Sequence, residues 1–179
     1  MKNMAIRIIV FSTLLFFSML PVSGRADGNY GAAAVAKLAD TELNISKMLT
    51  YAIEDEYMSR GEYEAVMEKF GKYPPFSNII KAEKRHVELL LPLFKKYNVP
   101  VPPDRGRELA KVPATFNEAL QLGVKAEIEN IAIYKRFLRQ DLPNDVKDVF
   151  QRLLAGSENH LAAFQKGRGS KHRAGGSGL

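Results

Sequence analysis

The sequence contains no cysteine and only three histidines, His86, His160 and His172. The first absence excludes disulfide staples, thiol catalysis, and any zinc, iron–sulfur or rubredoxin-like centre held by thiolates. Histidine, aspartate and glutamate are left as the strong metal ligands. Alternating apolar and polar stretches are also missing, which argues against strands. Positive charge is less abundant in the body of the chain than the formal +6 suggests. Lys2, Arg7 and Arg25 fall within the first 26 residues, and without them 23 basic side chains face 20 acidic ones. More of the excess lies in the last dozen residues, so charge gives no reason to expect a specific nucleic-acid partner.

What is present suits a folded domain. The chain has 179 residues, 46% apolar and 26% charged, which fits one globular unit. Residues 1–26 read as a signal peptide. Lys2 and Arg7 precede the apolar run IIVFSTLLFFSML, and Gly24 and Ala26 supply small residues for cleavage. The run is short for a membrane span, so the expectation is an exported protein, periplasmic or secreted, without a stable membrane anchor after cleavage. Residues 27–39 form an N-terminal arm, either mobile or the first turns of helix.

Four helical patterns follow. The first runs from about Asp40 to Phe70 and turns Leu49, Ile53, Glu56, Tyr63, Val66 and Phe70 to one side. The second runs from about Ser77 to Tyr97 with Ile79, Glu83, His86, Val87, Leu90 and Phe94 inward, and Pro92 predicts a kink or break in it. A Pro-rich connection with a short turn near 105–112 leads to the third, opened by the capping box Thr115/Glu118. Its inner face reads Phe116, Leu120, Val124, Glu127, Ile131, Tyr134 and Leu138. The fourth starts near Pro143 or Asn144 and ends by Lys166, with Val146, Phe150, Leu153, His160 and Phe164 inward. Residues 167–179, rich in Gly, Ser and basic side chains, are expected to be disordered. The fold expected over residues 40–166 is an all-α four-helix bundle of up-down-up-down order, with the longer connection between its second and third helices.

Polar residues interrupt the apolar stripes at matching depths. Glu56, Glu83 and Glu127 each stand mid-helix where periodicity demands a core residue, and His86 and His160 do the same. By the same periodicity Glu54 and Asp55 belong to the rim or solvent. Three buried carboxylates repel one another and are costly to bury unpaired. One divalent ion or a pair of them resolves this, with carboxylates and imidazoles as ligands. Tyr63 and Tyr134 lie two turns beyond Glu56 and Glu127, placed to hydrogen-bond a ligating carboxylate or to fill the core. Blander readings stand beside this one: Glu83–His86 as an intrahelical ion pair, Glu127 exposed beside Glu129, and His160 as a satisfied core histidine.

At these residues the chain resembles the ferritin-like superfamily of diiron-carboxylate bundles. More narrowly it resembles the bacterial and archaeal family catalogued as domain of unknown function 2202. The segments AIEDEYMSRGEY (52–63), FSNIIKAEKRHVELLLPLFKKY (76–97), GVKAEIENI (123–131) and DVFQRLLAGSENHLAAF (148–164) carry the likeness. It implies a metal set of Glu56, Glu83, His86, Glu127 and His160, with Asn130 where some members add a glutamate. The fourth helix departs from the pattern. Ser157 stands three residues before His160 in place of a glutamate, and Glu158 is the nearest carboxylate.

The implied cofactor is iron, two ions per chain, with manganese or a single metal as alternatives. The implied chemistry is Fe2+ oxidation or the reduction of O2 or peroxide, fed by an external reductant because the chain has no thiol of its own. The alternative is a non-enzymatic bundle with a partial metal site, serving metal buffering or a scaffold. Homo-oligomerisation is left open.

Overall fold

The computed structural model describes residues 28–174, with side chains as far as Arg168. The leader read over residues 1–26 and the final residues 175–179 lie outside the described residues. Six α-helices and no strand are present among the described residues: α1 (Gly31–Val35), α2 (Ile45–Phe70), α3 (Phe76–Lys96), α4 (Gly106–Leu109), α5 (Phe116–Phe137) and α6 (Asn144–Ala174).

Local signals explain most boundaries. Asn44 caps α2, its side chain accepting from Lys47 N–H at 2.9 Å, so the helix begins there and not at Asp40. Residues Asp40–Glu42 form a separate 3-10 turn. Gly71, at φ 95°, ends α2 in a backbone conformation that favours glycine. The reciprocal Thr115/Glu118 cap opens α5 as expected. Pro92 does not break α3, which is continuous from Phe76 to Lys96. The proline is exposed one turn from the helix end, so the Glu88 carbonyl it leaves unbonded is on a face open to water. The last helix runs past Lys166 to Ala174, so the expected disordered tail begins as helix. Gly167 is packed near Pro75 and Leu120, which docks this extension on the rest of the fold.

The long helices touch in a closed ring, α2 on α3, α3 on α6, α6 on α5, and α5 on α2. Two apolar clusters fill the ring's interior. One gathers Leu49 and Ile53 of α2, Leu90 and Phe94 of α3, Tyr134 and Phe137 of α5, and Val146, Phe150 and Leu153 of α6. The other gathers Tyr63 and Val66 of α2, Phe76 and Ile79 of α3, Ala119 and Leu120 of α5, and Phe164 of α6.

The order in which each helix visits these clusters gives its direction. α2 and α6 run from the first cluster to the second, whereas α3 and α5 both run from the second to the first. The up-down-up-down expectation is therefore corrected: α3 and α5 point the same way. The Pro-rich connection is long because it must carry the chain back along the molecule. On its way it lays α4 on α2, where the two backbones meet at Gly61 and Gly106. A Cβ on Gly61 would fall 2.2 Å from the Gly106 carbonyl carbon, and one on Gly106 would fall 1.8 Å from the Tyr57 carbonyl oxygen.

The N-terminal arm is folded onto α2 and α5. Glu54 accepts from Gly31 N–H at 3.0 Å and Asp55 from Ala32 N–H at 3.2 Å. Arg136 of α5 donates to the carbonyls of Val35 and Leu38 at 2.7 and 2.6 Å and pairs with Asp40. Tyr30, Ala32, Ala34 and Val35 are buried as a result.

Candidate metal centre

Between the two apolar clusters every long helix carries polar residues. Glu56 follows Ile53 and precedes Tyr63, Glu83 and His86 lie between Ile79 and Val87, Glu127 lies between Leu120 and Ile133, and His160 lies between Leu153 and Phe164. All five are buried, with Glu56 and Glu127 wholly inaccessible. Glu127 is thus not a surface neighbour of Glu129. The four helices bring together all five side chains singled out from the sequence as ligands.

They meet as two triads that share Glu83. Glu56, Glu83 and His86 form one and Glu83, Glu127 and His160 the other, each offering ligand atoms within 4.8 Å of one another. His86 Nδ1 is 3.0 Å from Glu56 Oε2 and 3.6 Å from Glu83 Oε2. His160 Nδ1 is 3.0 Å from Glu83 Oε1 and 3.4 Å from Glu127 Oε1. The two imidazoles stack, centroids 5.4 Å apart and planes 25° from parallel.

The tyrosines cross over. Tyr63 of α2 donates to Glu127 Oε1 at 2.6 Å, and Tyr134 of α5 donates to Glu56 Oε1 at 2.5 Å. Each apolar cluster thus sends one phenol to the carboxylate on the opposite helix. The two helix pairs are related by an approximate two-fold that exchanges Glu56 with Glu127, Tyr63 with Tyr134, and His86 with His160. Under that exchange Glu83, three residues before His86, corresponds to Ser157, three residues before His160. Ser157 is buried, and it breaks the symmetry by removing one carboxylate.

Despite the short distances, both oxygens of Glu83, Oε2 of Glu127 and Nδ1 of His160 are buried with no hydrogen-bond partner. Leaving such groups unsatisfied costs roughly 1–3 kcal/mol each and more when they are charged. A divalent cation satisfies all of them at once, because carboxylate oxygens and imidazole nitrogens are its natural donors. The residues present therefore fit one or two metal ions, with Glu83 positioned to serve both.

Electrostatics in the metal-free protein agree. Burial opposes charge on His86, but Glu56 and Glu83 outweigh it and raise its pKa to about 11. Burial likewise opposes charge on His160, and Glu127 and Glu83 raise it to about 9. Burial raises Glu56 despite His86, with Glu83 adding to the rise. For Glu83 burial is outweighed by His160 and His86, which hold it below the usual carboxylate range. Burial and the Glu56 carboxylate push Tyr134 well above the ordinary phenol value, so it stays protonated as the donor to Glu56.

The remaining candidates separate. Asn130 is buried and donates to Ser59 Oγ at 3.3 Å. Glu158 is exposed and paired with Lys135 at 3.2 Å, so it does not replace the missing carboxylate. Asp55, expected at the rim, is buried because the folded arm covers it, which the periodicity of α2 alone cannot reveal. Ser59 and Glu62 are also buried polar residues that sequence reasoning passed over. A signal for Ser59 existed: it lies three residues after Glu56, as Asn130 lies three after Glu127.

A solved structure shares this fold. The crystal structure of hypothetical protein MJ0754 from Methanococcus jannaschii matches with a TM-score of 0.64 and 24% identity, over 71% of this chain and 81% of that one. In sequence, the uncharacterized protein MJ0754 of Methanocaldococcus jannaschii is 27% identical over 126 residues, 62% of this chain and 68% of the relative. The model of the family described as an uncharacterized protein domain, DUF2202, matches residues 45–174, and the chain belongs to that family.

Proposed function

We propose that the two triads form one dinuclear carboxylate centre in a ferritin-like four-helix framework, holding iron or an iron–manganese pair. The observation that carries this reading is Glu83, buried on α3, in reach of both histidines, with neither oxygen hydrogen-bonded. Glu83 would serve both positions, Glu56 and His86 would hold one ion with it, and Glu127 and His160 would hold the other. A bound pair supplies redox chemistry toward Fe2+, O2 or peroxide. The chain's part is to hold and tune. Tyr134 and Tyr63 fix one oxygen of Glu56 and of Glu127, while the other oxygen of Glu56 meets His86 and that of Glu127 has no hydrogen-bond partner. The aromatic clusters above and below exclude bulk water. His86 and His160 give up protons as metal enters. In Fe2+ oxidation the electrons would come from Fe2+ itself, whereas repeated reduction of O2 or peroxide would draw them from an external reductant; on the leader reading the protein works outside the cytoplasm.

One observation favours a second reading, metal buffering without turnover. Three carboxylates facing two dications leave one positive charge unbalanced, at the place where symmetry puts Ser157. Aerobic Fe2+ oxidation separates the readings. The metal-stripped wild type is expected to oxidise Fe2+ faster than a protein-free control and faster than Glu83→Gln, with new near-ultraviolet absorption. Binding of Fe2+ with an oxidation rate equal to the protein-free control would establish buffering instead.

A further inference from the structure

Gly156 lies one residue before Ser157 on α6, where that helix faces α3. A Cβ placed on it falls 2.5 Å from His86 Nε2 and 2.6 Å from His86 Cε1. Ordinary contacts begin about 1 Å further out. The imidazole therefore lies in a notch that exists only because residue 156 has no side chain. Nothing about backbone conformation demands glycine here, since Gly156 is helical and its φ is not positive. Inside a helix glycine is a poor choice, as alanine is the stronger helix former. Its presence calls for a packing reason, and the ring of His86 is that reason.

We propose that Gly156 is the positioning residue of the centre: its missing side chain lets the His86 ring seat against α6 with Nδ1 between Glu56 and Glu83. The proposal rests, for its metal readout, on the dinuclear reading above. The ring has little freedom to yield harmlessly. It is buried, stacked on His160, and held at 3.0 Å by Glu56. A displacement of about 1 Å is enough to spoil ligand geometry. The second triad, Glu83, Glu127 and His160, does not include His86 and keeps its three members.

Gly156→Ala should therefore act on one metal position. Gly123→Ala is the control for ordinary crowding, because the atoms nearest its Cβ all belong to the Phe164 ring, the closest at 2.5 Å. Anaerobic Fe2+ binding is expected to give two ions per chain in the wild type and in Gly123→Ala, and one in Gly156→Ala. A readout independent of metal is the melting temperature of the stripped protein in a double-mutant cycle with His86→Ala. Gly156→Ala should lower it when His86 is present. In the His86→Ala background it should raise it, because the clash is gone and only the better helix propensity remains. This second background also covers the case in which Gly156→Ala alone fails to fold. A rise in both backgrounds, or a fall in both, overturns the positioning role. Wild-type protein that binds no Fe2+ would overturn the metal reading, while the sign reversal in the cycle would still decide the role of Gly156.

Discussion

Glu83 shows why single side chains decide what this fold can do. It has the burial of a core leucine, and each of its oxygens faces a different histidine. The groups around it set two expectations. Tyr63→Phe and Tyr134→Phe each remove the donor to one buried carboxylate oxygen, so metal affinity should fall about 10–100-fold, measured by anaerobic titration. Unchanged affinity would mean that the phenols only pack. The histidines make loading depend on pH with a definite sign. Their pKa values of about 11 and about 9 lie above the unperturbed 6.5, so both are protonated at neutral pH in the metal-free protein. Their ion pairs stabilise the stripped fold fully below about pH 6.5, and that stability is lost as pH rises through 9 and then 11. A bound metal would displace those protons, so apparent affinity should rise with pH across the neutral range. Calorimetry in two buffers of different ionisation enthalpy should find about two protons released for two ions bound. Ser157→Glu completes the two-fold and should tighten dinuclear binding. No gain would mean that the α6 backbone holds residue 157 away from the metals.

At the level of elements, periodicity located the four long helices and their inner faces because burial repeats along a single helix. Glu56, Glu83, His86, Glu127 and His160 stood out as polar residues in apolar stripes, which needs no knowledge of neighbours. What was not legible depended on other elements. The burial of Asp55 comes from the arm, and the seating of Pro92 depends on which face meets water. The direction of α5 has no local signature, since an amphipathic stripe reads the same up or down. The connection of residues 97–115 was the available clue. A helix of 22 residues spans about 33 Å, and a connection of 19 residues can cover that length, whereas a hairpin turn needs only a few. That connection makes its own prediction. Gly61→Ala drives a Cβ into the backbone of α4, so it should destabilise the protein by about 1–3 kcal/mol or more in chemical denaturation. A stabilised variant would contradict the close α2–α4 approach.

Across the whole molecule, the polar centre divides one apolar interior into two clusters, and there the helices meet through buried ion pairs and phenol–carboxylate hydrogen bonds. Ligand that binds only the folded state adds stability by mass action, about 2.7 kcal/mol at a hundred times the dissociation constant. Stripped protein should accordingly melt lower than loaded protein, and a chelator should reverse the difference. The central claim is that one buried glutamate joins two metal positions. Its most direct test is metal counting in the stripped protein, titrated anaerobically with Fe2+, for the wild type and for Glu83→Ala side by side. The wild type should bind two ions per chain and the variant fewer than one, because both triads lose a member. The same count in both proteins would contradict the claim.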